Sequence, residues 1–126
     1  MIACDLDNLK TVNDEQGHLV GDTFIREAAD ILRYTFRLED VVARIGGDEF
    51  AIILPFVNED QLASILKRLK TNIEYRNNSF AGDFSMSIGA AIAHRGDALL
   101  HTLKDADAAM YIAKKQKKLQ AITYTV

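Results

Sequence analysis

Apolar and polar positions along this chain fall into two rhythms, one of period two and one near 3.6. Met1 to Leu6 is a short apolar run ending in acids, which predicts a buried strand. Gly21-Asp22 then opens an amphipathic stretch in which Phe24, Ile25, Ala28, Ala29, Ile31, Leu32 and Phe36 share one helical face. Val41 to Ile45 and Phe50 to Leu54 are β-rich runs on either side of Gly46-Gly47, a pair whose tolerance of positive φ suits a tight hairpin turn. Asn58 is placed to cap a second helix carrying Leu62, Ile65, Leu66, Leu69 and Ile73. Phe84 to Ala93 alternates and then turns apolar, as a central strand would. Asp97 is placed to cap a third helix with Leu99, Leu100, Leu103, Ala106, Met110 and Ala113, and Ala121 to Val126 predicts a closing strand. Asn77-Asn78-Ser79 reads as a loop.

The predicted order is βαββαβαβ. Its first six elements are the ferredoxin-like split βαβ pattern, an α+β (α/β sandwich) fold. It has a mixed, largely antiparallel central sheet with helices around it, mainly against one face.

Composition narrows the function. At 126 residues the chain is a single domain, and 48% hydrophobic with 26% charged is an ordinary globular balance. A net charge of -3 argues against a nucleic-acid-coating surface, though not against a nucleotide pocket. The single cysteine, Cys4, cannot form an internal disulfide, which suits a reducing compartment. The longest apolar run, Phe50 to Val57, is broken by Pro55 and too short for a bilayer, and Asp5 and Asp7 leave no room for a signal peptide at the start. The expected location is cytoplasmic, with no membrane contact from this segment.

The chemistry concentrates at two acidic sites. Asp5 and Asp7 are two apart, so on a strand both side chains face one side, and Asp48-Glu49 follow the Gly-Gly of the hairpin. If the first strand lies beside that hairpin, three or four carboxylates converge and need a cation to neutralise them. Hard oxygen donors select Mg²⁺ or Mn²⁺, the ions that phosphoryl transfer uses. Taken singly, each motif is also ordinary turn chemistry.

Gly46-Gly47-Asp48-Glu49-Phe50 spells GGDEF, and with it the chain resembles the diguanylate cyclase (GGDEF) domain family. Asp5-Leu6-Asp7-Asn8-Leu9-Lys10-Thr11-Val12-Asn13-Asp14 resembles that family's D-x-D-x-F-K-x-x-N-D segment, and Gly17-His18-Leu19-Val20-Gly21-Asp22 its G-H-x-x-G-D. Ser87-Ile88-Gly89 resembles its S-x-G strand, and Ala106-Asp107 through Met110-Tyr111-Ile112-Ala113-Lys114 its A-D-x-A-L-Y-x-A-K helix. The likeness runs from Ile2 to about Lys118. It implies a fold similar to nucleotidyl cyclase and polymerase palm domains. The implied reaction takes two GTP to cyclic di-GMP and two pyrophosphates, with two Mg²⁺ or Mn²⁺ ions per site and a transient homodimer.

The implied roles are these. Asp5, the Leu6 carbonyl, Asp48 and Glu49 hold metal, and either Asp48 or Glu49 is the general base. Gly46 and Gly47 let backbone approach phosphate and ribose, Asn13 and Asp22 read guanine, and Lys10, Lys114 and Lys118 hold the triphosphate. Arg37 and Asp40 occupy the family's R-x-x-D offset, where cyclic di-GMP binds as feedback ligand; an i,i+3 surface ion pair is the plainer account of the same two residues.

Some positions depart from the pattern. Lys117-Lys118-Leu119 stands where the family has G-R-N, so Lys118 keeps charge without a bidentate fork. Asn8-Leu9 replaces a histidine or aromatic pair. The family's preceding D-x-L-T-x-L-x-N-R segment is not in this sequence, so an upstream sensory domain is expected in a longer protein. A catalytically silent module that binds GTP or cyclic di-GMP is the alternative, and a purely structural dimerisation domain a third reading. The intact Asp5 and GGDEF favour the enzyme.

Overall fold

The computed structural model describes residues 1–80, 84–116 and 122–125. The elements run β1 (Ile2–Leu6), α1 (Leu9–Gln16), α2 (His18–Thr35), β2 (Val41–Arg44), β3 (Glu49–Ile53), α3 (Glu59–Phe80), β4 (Met86–Ala91), α4 (Leu99–Lys115) and β5 (Ile122–Thr125). The sheet order is β2-β3-β1-β4-β5. Its first four strands are antiparallel neighbours, the arrangement that the split pattern predicts, and β5 joins β4 in parallel. The mixed, largely antiparallel α+β fold expected from the sequence is the fold observed.

β1 is the centre of the sheet and is buried along its whole length. Ile2, Cys4 and Leu6 point into the main core, where they meet Phe24, Ile31 and Leu32 of α2 and Leu62, Leu66, Leu69 and Ile73 of α3. Ala3 faces the other way, with Ala91, Ala106 and Met110, into a smaller core beneath α4. Three helices therefore cover one face and α4 the other. Gly89 lets α4 come so close: a Cβ there would lie 2.0 Å from the Met110 backbone nitrogen and 2.3 Å from the Ala106 carbonyl oxygen.

The observed elements correct several expectations. Residues 9–16 form a helix that apolar periodicity does not announce, because only Leu9 and Val12 anchor it and the rest of LKTVNDEQ is polar. Asn8 precedes it in the left-handed region (φ 60°), which asparagine tolerates. The second helix accordingly starts at His18, after a turn at Gly17 (φ 91°), rather than at Gly21. Asn58 does cap α3: its Oδ1 accepts the Gln61 N–H at 2.8 Å while Gln61 Oε1 accepts the Asn58 N–H at 2.9 Å, a reciprocal capping box. Residues 77–79 continue α3 instead of forming a loop, and Asn77 Oδ1 accepts the Phe84 N–H at 3.1 Å.

Asp97 does not cap α4. Its carboxylate accepts the His94 N–H at 2.8 Å, and Ala98 stands at the cap position without a side-chain bond. Leu99 and Leu100 are exposed, so the buried face of α4 is Thr102, Ala106, Ala109, Met110 and Ala113. Small residues predominate there because the helix lies almost on the sheet.

Among the described residues, no helix is long and apolar enough to cross a membrane.

Candidate active site

The sheet register assembles the site. Asp5 pairs directly with Glu49 across β1–β3 and with Ser87 across β1–β4. The Leu6 N–H donates to the Asp48 carbonyl at 2.9 Å, which ties the Gly-Gly turn to the end of β1. On the turn itself, the Ile45 and Gly46 N–H groups donate to the Glu49 carbonyl at 2.9 and 3.3 Å. Arg44 then closes it from the side, donating from Nε to the Gly46 carbonyl at 3.1 Å and from Nη2 to the Gly47 carbonyl at 2.7 Å.

Neither Gly46 nor Gly47 adopts positive φ, contrary to the hairpin expectation. Nor does crowding require glycine. A Cβ on Gly47 would meet nothing within 4 Å, and one on Gly46 would make ordinary contact with Glu49 at 3.5 Å. The space beside the turn is open.

Asp5, in β1, and Asp7, just after it, separate into different jobs. Asp7 is satisfied: its carboxylate accepts the Ser87 hydroxyl at 2.6 Å and the Ser85 hydroxyl at 2.8 Å, a clasp between β1 and β4. Asp5 is not. Its Oδ2 accepts from Lys114 Nζ at 2.5 Å, and its Oδ1 is buried with no partner. Glu49 Oε1 and Asp107 Oδ1 are likewise buried and unpartnered.

Burial raises the Asp5 carboxyl to about 6, against the pull of the Lys114 ammonium and with a smaller push from Asp48. Burial, then Asp107, then Asp5 and Asp48 raise Glu49 to about 7. The Lys114 ammonium is itself raised: burial works against it, and its bond to Asp5 and the charges of Asp5, Asp48 and Asp7 outweigh that cost.

Four carboxylates thus meet at one end of the sheet, though among the described residues no three of them are gathered as a formed metal cage. The donor set nevertheless suits a hard divalent cation: oxygen atoms only, with orphaned carboxylate oxygens on Asp5 and Glu49. The Lys114 ammonium, paired with Asp5, takes up part of that role.

A pH dependence follows. Without metal, Asp5 and Glu49 hold protons in the folded chain between about pH 4 and 7 that the unfolded chain has released, so folding is favoured at the acid end. In chelator, the thermal midpoint should fall as pH rises from 5 to 8, and millimolar Mg²⁺ at pH 8 should restore it. A midpoint that climbs with pH in chelator and ignores Mg²⁺ would count against the site.

The remaining candidates fall into three places. Asn13 on α1 and Asp22 on α2 come from the helix pair that turns at Gly17. Asn13 is half-buried with Oδ1 unpartnered, and Gly21 lies against it, since a Cβ there would sit 1.7 Å from that oxygen. Asp22 and Lys10 are exposed. Lys118 lies outside the described residues.

Arg37 and Asp40 stand at the far end of β2 from the Gly-Gly turn. Asp40 Oδ2 accepts the Arg37 N–H at 2.8 Å, and Arg37 Nε lies 3.3 Å from Glu39 and 3.7 Å from Asp40. The Asp40 side chain is 1% exposed, with Oδ1 buried and unpartnered. It lines a concavity of about 340 Å³ with Arg33, Phe36, Arg37, Leu38 and Val42.

Sequence reasoning assigned no role to Arg44 or Asp107. Nothing in the sequence singles out Arg44, a strand-terminal residue. Asp107 had a signal, its helical spacing from Lys114.

Fold and site together define an α+β domain with an acidic centre at the end of a strand and a hairpin. Residues 1–120 match the family model described as "Diguanylate cyclase, GGDEF domain". The chain belongs to that family. It is 40% identical over 123 residues to diguanylate cyclase TpbB of Pseudomonas aeruginosa, covering 90% of this chain and 27% of TpbB. To diguanylate cyclase DosC of Escherichia coli it is 32% identical over 120 residues, 92% of this chain and 26% of DosC. The chain therefore spans about a quarter of these relatives, and 17% of the bifunctional MucR of P. aeruginosa. Among solved structures, the GGDEF domain of DgcB from Caulobacter crescentus in complex with c-di-GMP superposes with a TM-score of 0.87 at 29% identity, covering 98% of this chain and 75% of that one.

Proposed function

We propose that this domain is an active diguanylate cyclase, joining two GTP molecules into cyclic di-GMP with release of two pyrophosphates. One observation carries the reading: Asp5 and Glu49 are cross-strand partners, each with a buried, unpartnered oxygen, beside a Gly-Gly turn that opens onto free space. Folding alone explains neither the orphaned oxygens nor the two glycines. A divalent cation and a nucleotide explain both.

Asp5, Asp48, Glu49 and the Leu6 carbonyl would hold one or two Mg²⁺ or Mn²⁺ ions. Bound there, the metal would make the ribose 3′-hydroxyl a stronger nucleophile and offset charge building at the α-phosphate. The chain's own residues do the rest. Gly46 and Gly47 leave room for phosphate and ribose against the backbone. Lys114 turns from Asp5 to the triphosphate, joined by Lys10. Asp22 accepts from guanine N1–H and N2–H₂, and adenine would leave that carboxylate unsatisfied. Asn13, against Gly21, supplies a second polar group to the base.

Cyclic di-GMP has two-fold symmetry, and each 3′-hydroxyl must attack the other nucleotide. Two domains therefore face each other across a two-fold axis, as a transient homodimer. An upstream sensory domain in the full-length protein would control that encounter in the cytoplasm. The direct test is incubation with GTP or ATP plus Mg²⁺: cyclic di-GMP should form from GTP, and equal use of ATP would contradict the guanine assignment.

Arg37 and Asp40 form the feedback site in this reading. Arg37→Ala should weaken cyclic di-GMP binding about tenfold or more, the worth of a lost bidentate contact to guanine, and leave GTP affinity unchanged. Calorimetry showing unchanged product affinity would reduce the pair to a surface turn.

A further inference from the structure

Asp7 is fastened to β4 at three points. Its carboxylate accepts the Ser87 hydroxyl at 2.6 Å and the Ser85 hydroxyl at 2.8 Å, and its N–H donates to the Ser85 carbonyl at 3.1 Å. Both serines are buried, and Ser87 is the cross-strand partner of Asp5.

Strand pairing does not account for this clasp. β1 and β4 are already in register from Ile2–Ala90 to Leu6–Met86, and Leu6, Met86 and Ile88 are packed into the main core. Apolar residues of similar size in place of the three polar ones would join the strands about as well. The clasp does account for the setting of one peptide plane. β1 ends at Leu6, so the Leu6–Asp7 peptide lies where the strand runs out. Its N–H points to β4, and in a trans peptide the carbonyl projects the opposite way, here toward β3 and the Gly-Gly turn. The Leu6 N–H agrees with that direction, since it donates to the Asp48 carbonyl on the same side.

We propose that Asp7 is a positioning residue: gripped by Ser85 and Ser87, it holds the Leu6–Asp7 peptide so that the Leu6 carbonyl is presented to a divalent cation beside the turn. The inference rests on the cyclase reading given above, in which that carbonyl is a ligand. Asp7 itself acts through the peptide and not by touching the cation. Asparagine at position 7 preserves the clasp, because its Oδ1 accepts one hydroxyl and its Nδ2 donates to the oxygen of the other. Alanine removes it.

The test compares the unmutated domain with Asp7→Asn, Asp7→Ala and the double variant Ser85→Ala with Ser87→Ala. Each is followed by thermal melting, by Mn²⁺ titration without nucleotide well below its midpoint, and by steady-state kinetics with GTP. Asp7→Ala and the serine double variant should each weaken Mn²⁺ binding and lower kcat about tenfold or more, the usual cost of losing a group that orients a ligand. The double variant keeps every carboxylate, so its loss cannot come from charge. Asp7→Asn should stay within about threefold in both measures, the effect of one charge removed near a site open to water. A clasp that serves only the fold would lower the midpoint of Asp7→Ala and leave Mn²⁺ affinity unchanged, which overturns the proposal. So does an Asp7→Asn variant as impaired as Asp7→Ala, or a serine double variant that binds Mn²⁺ normally, since either makes the Asp7 carboxylate itself the ligand. An unmutated domain that binds no Mn²⁺ overturns it outright. Should the unmutated domain bind Mn²⁺ and make no cyclic di-GMP, the cyclase reading fails, and the order of Mn²⁺ affinities alone decides the role of Asp7.

Discussion

Asp48→Ala is expected to reduce cyclic di-GMP synthesis by about a thousandfold or more, with the thermal midpoint unchanged or slightly raised. The Asp48 main chain ties the turn to β1 through the Leu6 N–H, and that bond survives the substitution. Its side chain brings charge near the Asp5 carboxyl, in a neighbourhood that already holds Glu49 and Asp107. Removing one negative charge relieves repulsion in the folded state. In the proposed reading the same removal takes a ligand from a site built of oxygen donors. Product formation followed by chromatography, beside a melting curve, separates the two effects. Activity near the unmutated rate would remove Asp48 from the chemistry, and a large fall in midpoint would make its role structural.

Gly89→Ala carries the largest expected loss of stability, about 3 kcal/mol or more, because overpacking against backbone cannot be relieved by a rotamer change. The new methyl would lie within 2.6 Å of three backbone atoms of α4: Met110 N, Ala106 O and Met110 Cα. Either the helix lifts or the strand bends. For a domain of this size the midpoint should drop by about 10 °C. Lifting α4 also draws Lys114 and Asp107 away from Asp5 and Glu49, so activity should fall further than the unfolded fraction explains. A midpoint within a degree or two of the unmutated domain would show that α4 sits more loosely on the sheet.

Much of this was legible in the residue pattern. The period-two runs give β1 to β4 their places, and because a split βαβ order leaves little topological choice, the neighbourhood of Asp5 and the GGDEF turn followed from it. Asn58 announced its capping box through Gln61 three residues on. Helix α1 stayed hidden because Leu9 and Val12 are too few to mark a period. The α4 face was misread at Leu99 and Leu100 because a helix lying so near the sheet selects small residues, and alanine carries little hydrophobic signal.

At the site, residue types and spacing indicated which acids gather, but they gave no account of how those acids differ. Asp5 and Asp7 look equivalent in sequence. Ser85 and Ser87 satisfy one and leave an oxygen of the other orphaned, a distinction that depends on strand register. The same holds for Lys114. Its helical position marks it as a phosphate ligand by resemblance, and only the packing of α4 brings it onto Asp5. The Gly-Gly pair teaches the converse: the turn it occupies needs neither positive φ nor the absence of a Cβ, so the fold does not account for it, and only the proposed nucleotide site gives it a reason.

The most direct measurement is cyclic di-GMP formed from GTP and Mg²⁺ as a function of domain concentration, with the oligomeric state followed in parallel by sedimentation. Two nucleotides held on two facing domains predict product from GTP and a specific activity that rises with concentration as dimer accumulates. No cyclic di-GMP at any concentration, in a domain shown to be folded and to bind GTP, would contradict the cyclase reading; a constant specific activity from a species that remains monomeric would contradict the facing-dimer mechanism.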